Sequence, residues 1–170
     1  MSHAIVEELV ASGRLFDFVS QAAVESICPL CGVEVTVLGP GPLPWSDPPV
    51  GIALVSLADT GESGFQAVAW VGGPFEALAS LAEALLGERP AEDDEMLQDA
   101  VRELANIVAG RMQERLQGAG MTLGLGLPVY VGGARSLNVG ASLVNGVSAH
   151  VQLDLPDRPV LAIGFAAKEG

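Results

Sequence analysis

The sequence predicts an α+β fold in which helices are set against antiparallel strands. Three observations carry this reading. Leu97, Val101, Leu104, Val108 and Met112 recur at the helical period of 3.6 residues. Gly146–Leu155 and Val160–Ala167 alternate apolar and polar residues on either side of Pro156-Asp157-Arg158-Pro159, the pattern of two half-buried strands joined by a hairpin turn. Ile52–Leu57 and Phe65–Val71 flank Asp59-Thr60-Gly61-Glu62-Ser63-Gly64, a stretch of turn formers, so they read as a second antiparallel pair with a longer connection.

The elements follow in order. Leu9, Phe16, Val19, Ala23 and Ile27 are spaced for one long helix over Ile5–Ile27, or for two in series broken at Gly13. Gly32 can stop the helix, and Val33–Leu38 alternates like a strand. Gly39-Pro40-Gly41-Pro42 then predicts an irregular loop to about Pro49. After the first hairpin, Gly72-Gly73-Pro74 opens a helix over Phe75–Leu86, which Gly87 and Pro90 end. Glu92-Asp93-Asp94-Glu95 places acids at the start of the next helix, where they complement the positive end of its dipole. That helix runs to about Gln117, and Gly118 and Gly120 release the chain into Met121–Leu127. Pro128 lacks an N–H and belongs at a strand start or a sheet edge, just before Val129–Val131.

Composition narrows the function. A chain of 170 residues, 49% hydrophobic, supports one domain over residues 1–170. The net charge of −13 repels nucleic acid and anionic membrane surfaces alike. No apolar run reaches the length of a membrane span, and the start MSHAIVEELV is acidic where a signal peptide is basic, so the expectation is a cytoplasmic protein. The cysteines, Cys28 and Cys31, form a lone C-P-L-C. A zinc site would need further soft ligands, and His3 and His150 lie far off without a second spaced pair, so no metal site is expected. The pair reads as two small apolar residues in the last turn of a helix. Trp45 and Trp70 read as packing residues and His150 as a solvent-facing or neighbour-facing strand residue.

The chemistry concentrates on Asp99–Gly110, D-A-V-R-E-L-A-N-I-V-A-G. At about 100° per residue, Asp99, Glu103, Asn106 and Gly110 fall within roughly 60° of one another, opposite the apolar stripe. If the stripe faces a core, the carboxylates and the amide face out. Asn and Gly are both poor choices for the middle of an exposed helix, at about 0.5–1 kcal/mol each, so their placement on one face suggests a surface built for close approach.

The pattern D-x3-E-x2-N with Gly at the next turn, followed later by Pro128, resembles the CheC/CheX/FliY group of chemotaxis phosphatases. Supporting phrases are Leu85-Leu86-Gly87-Glu88 and the two strands of Gly51–Val71. The single central E-x2-N resembles CheX, since CheC carries two. On the first helix Asp17-x3-Gln21-x2-Val24 and Gln21-x3-Glu25-x2-Cys28 have the spacing, but neither ends in Asn. The resemblance implies a CheC-like fold, with two long pseudosymmetric helices packed on an antiparallel sheet. It implies hydrolysis of the aspartyl phosphate of a CheY-like response regulator in chemotaxis or two-component signalling.

In that setting Asn106 would orient the attacking water, a task of positioning that needs no particular pKa. Glu103 would anchor to a cation of the regulator, most simply the lysine beside its phosphoryl group. Asp99 would add a rim contact and Gly110 would admit the partner's loop. No cofactor of its own is implied, with Mg in the regulator's site. A homodimer is also implied, formed through a sheet edge expected in the C-terminal hairpin Gly146–Ala167, with Gly39–Pro49 as a hinge. The competing expectation is a catalytically silent adaptor on the same fold, which binds regulators without dephosphorylating them.

Overall fold

The computed structural model describes residues 1–41, 51–61, 63–133 and 143–168. Gly13, at φ 75°, divides the N-terminal helical pattern into α1 (Ser2–Ala11) and α2 (Arg14–Cys31). Such a φ is free for glycine and strained for other residues, so the second of the two readings of this segment is the one realised. Gly32, at φ 65°, terminates α2. Cys28 and Cys31 therefore occupy its last turn, as expected.

The strands are β1 (Val35–Pro40), β2 (Gly51–Asp59), β3 (Gln66–Gly73), β4 (Leu123–Leu125), β5 (Val129–Gly132), β6 (Leu143–Leu153) and β7 (Val160–Lys168). Two helices separate β3 from β4, α3 (Phe75–Leu86) and α4 (Glu95–Gly118). β1 extends two residues beyond the expected Leu38, because a bulge between Val37 and Gly39 carries the pairing on to Pro40. Gly39 takes the strained φ of 130° that this bulge requires. The rest of the expected proline-rich loop, with Trp45, lies outside the described residues.

All strand pairs are antiparallel, in the order β1-β6-β7-β3-β2-β4, with β5 also on β2. The topology repeats. Helix α2, short strand β1 and hairpin β2–β3 form one half; helix α4, short strands β4 and β5 and hairpin β6–β7 form the other. The halves exchange their short strands, since β1 pairs with β6 and β5 pairs with β2, and they meet at the central pair β3–β7. Among the described residues the two long helices lie against the same face of the sheet and against each other.

Val19, Ala23 and Ile27 of α2 and Leu97, Val101, Leu104, Val108 and Met112 of α4 are at most 1% exposed. They pack on Ala53, Val55, Leu57, Ala69, Val71, Ile163 and Phe165 of the sheet. At about 1.5–3 kcal/mol for each large buried side chain, this interior fixes α4 in its rotation about its own axis. Any role for its outer face follows from that constraint.

Two expectations need correction. The C-terminal hairpin is no sheet edge: β6 lies between β1 and β7, and β7 between β6 and β3. β6 is paired on both sides over Ala149–Gln152 and β7 is paired with β6 and β3, so among the described residues the outer strands are β1 and the pair β4/β5. The strand expected over Phe65–Val71 runs on to Gly73, while Trp70, read as a packing residue, is indeed fully buried, on the face away from the helices beside Ile52 and Ala166. Its ring occupies the space that a side chain at Gly164 would need.

Candidate functional site

α4 starts from a built cap. The Asp94 side chain accepts a hydrogen bond from the Met96 N–H at 2.9 Å, satisfying one of the free donors of the first turn. The acidic run before α4 thus has a structural task, as read from the sequence. At the other end, Gln113 Nε2 donates to the Leu123 carbonyl at 2.5 Å and ties the helix to β4.

Between these ties the helix presents the expected residues. Asp99, Glu103 and Asn106 are exposed and Gly110 is half-buried. Glu103 and Asn106 make no hydrogen bond or ion pair with any described residue. A carboxylate and a carboxamide one turn apart are thus both available to an incoming molecule. Gly110 lies in open space: a Cβ built there meets nothing within 4 Å. Internal packing therefore gives no reason for a glycine at this point of the helix, and the helix alone would favour alanine.

Asp99 stands differently from the expectation of a rim contact. It is already engaged by Arg102 on the next turn, in an ion pair whose side chains are 66% and 31% exposed. Sequence reasoning passed over Arg102; the signal available was the i,i+3 spacing of opposite charges, Asp99-x2-Arg102. Flanking the N-terminal part of α4 is a concavity of about 610 Å³ lined by Glu92, Asp93, Gln98, Tyr130, Gly132 and Gly133. Partial burial, and then the nearby Glu92 charge, push the Tyr130 phenol above its ordinary pKa.

Pro128 sits between β4 and β5, just before β5 begins, as its missing donor predicts. This edge exposes Leu125, Leu127 and Val129 at 38%, 86% and 55%. On the corresponding face of α2 the polar groups are engaged. Arg115 of α4 pairs with Glu25 at 2.7 Å and donates to Gln21 Oε1 at 3.4 Å. Cys31 is buried, and burial together with neighbouring Cys28 pushes its thiol up to about 11. Among the described residues no three His, Cys, Asp or Glu side chains converge as a metal site. No described helix is long and apolar enough to cross a membrane.

Comparison with known proteins places this geometry. Residues 53–152 match the family described as chemotaxis phosphatase CheX, a span that includes the whole of α4. A chain of the CheX–CheY–BeF3–Mg complex from Borrelia burgdorferi superposes with a TM-score of 0.68 at 20% identity, over 91% of this chain and 98% of that one. Chemotaxis protein CheX from Vibrio vulnificus gives 0.66 at 16% identity, over 89% and 96%. FliY from Thermotoga maritima gives 0.60 at 16% identity, over 97% and 90%. At such identities these likenesses speak for the fold, which is that of the CheC-like superfamily. No curated protein sequence matches the chain.

Proposed function

We propose, since the chain belongs to the CheX family of chemotaxis phosphatases, that it hydrolyses the aspartyl phosphate of a CheY-type response regulator in the cytoplasm. The observation that carries this is the pair Glu103 and Asn106, exposed, one turn apart and without side-chain partners among the described residues, on a helix whose opposite face is locked in the core. One structural relative is a CheX bound to CheY with BeF3 and Mg.

The division of labour follows from the residue types. The regulator holds its own phosphoryl group, and a magnesium ion there would neutralise charge on the phosphoryl oxygens. What this chain adds is geometry. The Asn106 carboxamide accepts from a water through its oxygen and donates through its nitrogen, so it can hold that water in line with the phosphorus and exclude other orientations. Glu103 binds a regulator cation by a charge-assisted hydrogen bond, fixing the register of the helix against the pocket. Gly110 lets the regulator's surface lie against the α4 backbone.

Phosphate release from a panel of phosphorylated response regulators, with and without the chain, tests the assignment. Wild type is expected to accelerate release, and Asn106→Ala to lose about ten-fold or more while keeping its circular dichroism. Wild-type turnover in the variant would remove Asn106 from the mechanism. Binding without any acceleration by wild type would make the chain a docking adaptor.

The homodimer belongs to the same proposal, with its contact moved. Of the two sheet edges, β1 is interrupted by its bulge and by Pro40, whereas β4/β5 carries the exposed Leu125, Leu127 and Val129. Edge strands that are neither bulged away nor charged are the ones that pair with a second chain, and this edge is the favoured contact.

A further inference from the structure

The N-terminal half of α4 and the residues leading into it are almost entirely anionic. From Glu92 to Asn106 there are six carboxylates, Glu92, Asp93, Asp94, Glu95, Asp99 and Glu103, and one cation, Arg102. A face of this kind is poorly matched to a phosphorylated regulator, whose pocket carries the added negative charge of the phosphoryl group. The geometry resolves part of that mismatch. Arg102 reaches one turn back to the Asp99 carboxylate, while Glu103, next to Arg102 in sequence and one turn beyond Asp99, is left unpaired. Of the carboxylates in this row, Asp99 is thus neutralised within the helix, whereas Glu95 and Glu103 have no partner among the described residues.

We propose that Arg102 is a specificity-determining positioning residue. By cancelling Asp99, it removes one of the negative charges that flank Asn106 and lowers the repulsion met specifically by the phosphorylated form of the regulator. This rests on the phosphatase reading above and deepens it. It concerns charge balance at the rim, and Arg102 takes no part in moving the water or the phosphoryl group. Rim charges act on encounter rate and salt dependence, because they are felt before contact and are screened within about 8–10 Å at moderate ionic strength.

The test is binding of a CheY-type regulator, loaded with beryllium fluoride and magnesium or left unloaded, to the full chain at low and high salt. Arg102→Gln exposes the Asp99 charge and is expected to weaken binding of the loaded regulator by about three- to ten-fold at low salt. The loss should be much smaller for the unloaded regulator, and at high salt. The double variant Asp99→Asn with Arg102→Gln restores the wild-type charge balance of the face and is expected to recover wild-type affinity. A purely structural ion pair would shift the melting temperature and alter loaded and unloaded binding equally. Equal binding by Arg102→Gln and wild type at low salt, or failure of the double variant to recover, would overturn the role of Arg102. A wild-type chain that binds no loaded regulator would overturn the phosphatase reading itself, and this inference with it.

Discussion

Gly110→Ala separates folding from function more sharply than any other single change. Gly110 lies within α4, more than two turns from either end. Its backbone is not among those with positive φ, and an added Cβ meets no atom within 4 Å. For the isolated chain the substitution therefore brings only the helix propensity of alanine over glycine, about 0.5–1 kcal/mol of stabilisation. For a domain of this size that corresponds to a rise in Tm of roughly 1–4 °C. The same methyl group stands on the face that a regulator is proposed to cover. A group inserted into a close-packed contact costs about 1–3 kcal/mol, which is about 5- to 160-fold in kcat/KM. Thermal melting and phosphate release on one preparation supply both readouts. A higher Tm with a lower kcat/KM is expected. Unchanged turnover would show that no partner approaches Gly110, and a lower Tm would refute the account of why glycine stands there.

Glu103→Ala should weaken regulator binding as well as turnover, because the lost group is an anchor; titration calorimetry showing unaltered affinity together with unaltered turnover would remove it from the site. Leu127→Lys at the β4/β5 edge should convert a dimer to a monomer near 17.4 kDa in light scattering, whereas a lysine on the interior strands β6 and β7 would disrupt the sheet itself. The Cys31 thiol, pushed up to about 11 by burial and by Cys28, should resist alkylation in the native protein below about pH 10. Its raised pKa favours the neutral thiol in the folded state, so this contribution to stability is complete below the ordinary thiol pKa of 9.0 and is lost as pH rises toward 11. Urea midpoints measured from pH 8 to 11 should fall across that window.

The sequence was most legible where one periodicity governed a long segment. The apolar stripe from Leu97 to Met112 set the rotation of α4, and that alone put Asp99, Glu103 and Asn106 in solvent. Phe75–Leu86 was bounded correctly because Pro74 and Gly87 punctuate it, Gly87 taking the φ of 81° that ends a helix. What could not be read was strand order. The C-terminal hairpin was recognised as a hairpin, but local alternation says nothing about which strands lie outside it. Its flanks are set by the pairing of β1 with β6 and of β3 with β7, both long-range. Arg102 escaped notice for a related reason: its meaning lies in the charge it cancels, and a motif read one residue at a time does not display that.

The two-fold repeat offers a second long helix, and side chains rather than backbone explain why α2 carries no matching site. The exposed row of α2 includes Asp17, Gln21 and Glu25, so carboxylates and an amide are available there. Arg115 crosses from α4 and engages two of them, Gln21 and Glu25, with its own side chain only 16% exposed. A regulator approaching α2 would first have to break a partly desolvated ion pair that already holds the two helices together, and removing one partner of such a pair strands the other charge. At the positions where the spacing calls for a water-holding amide, α2 has Val24 and Cys28, both half-buried. Val24 has no polar group and the Cys28 thiol is only a weak donor and acceptor, so neither replaces a carboxamide in orienting a water. On α4, Glu103 and Asn106 have no partner among the described residues and the next turn is glycine. A carboxamide placed at position 28 would therefore not create a second centre by itself, since Arg115 would still hold Glu25 away from any incoming cation.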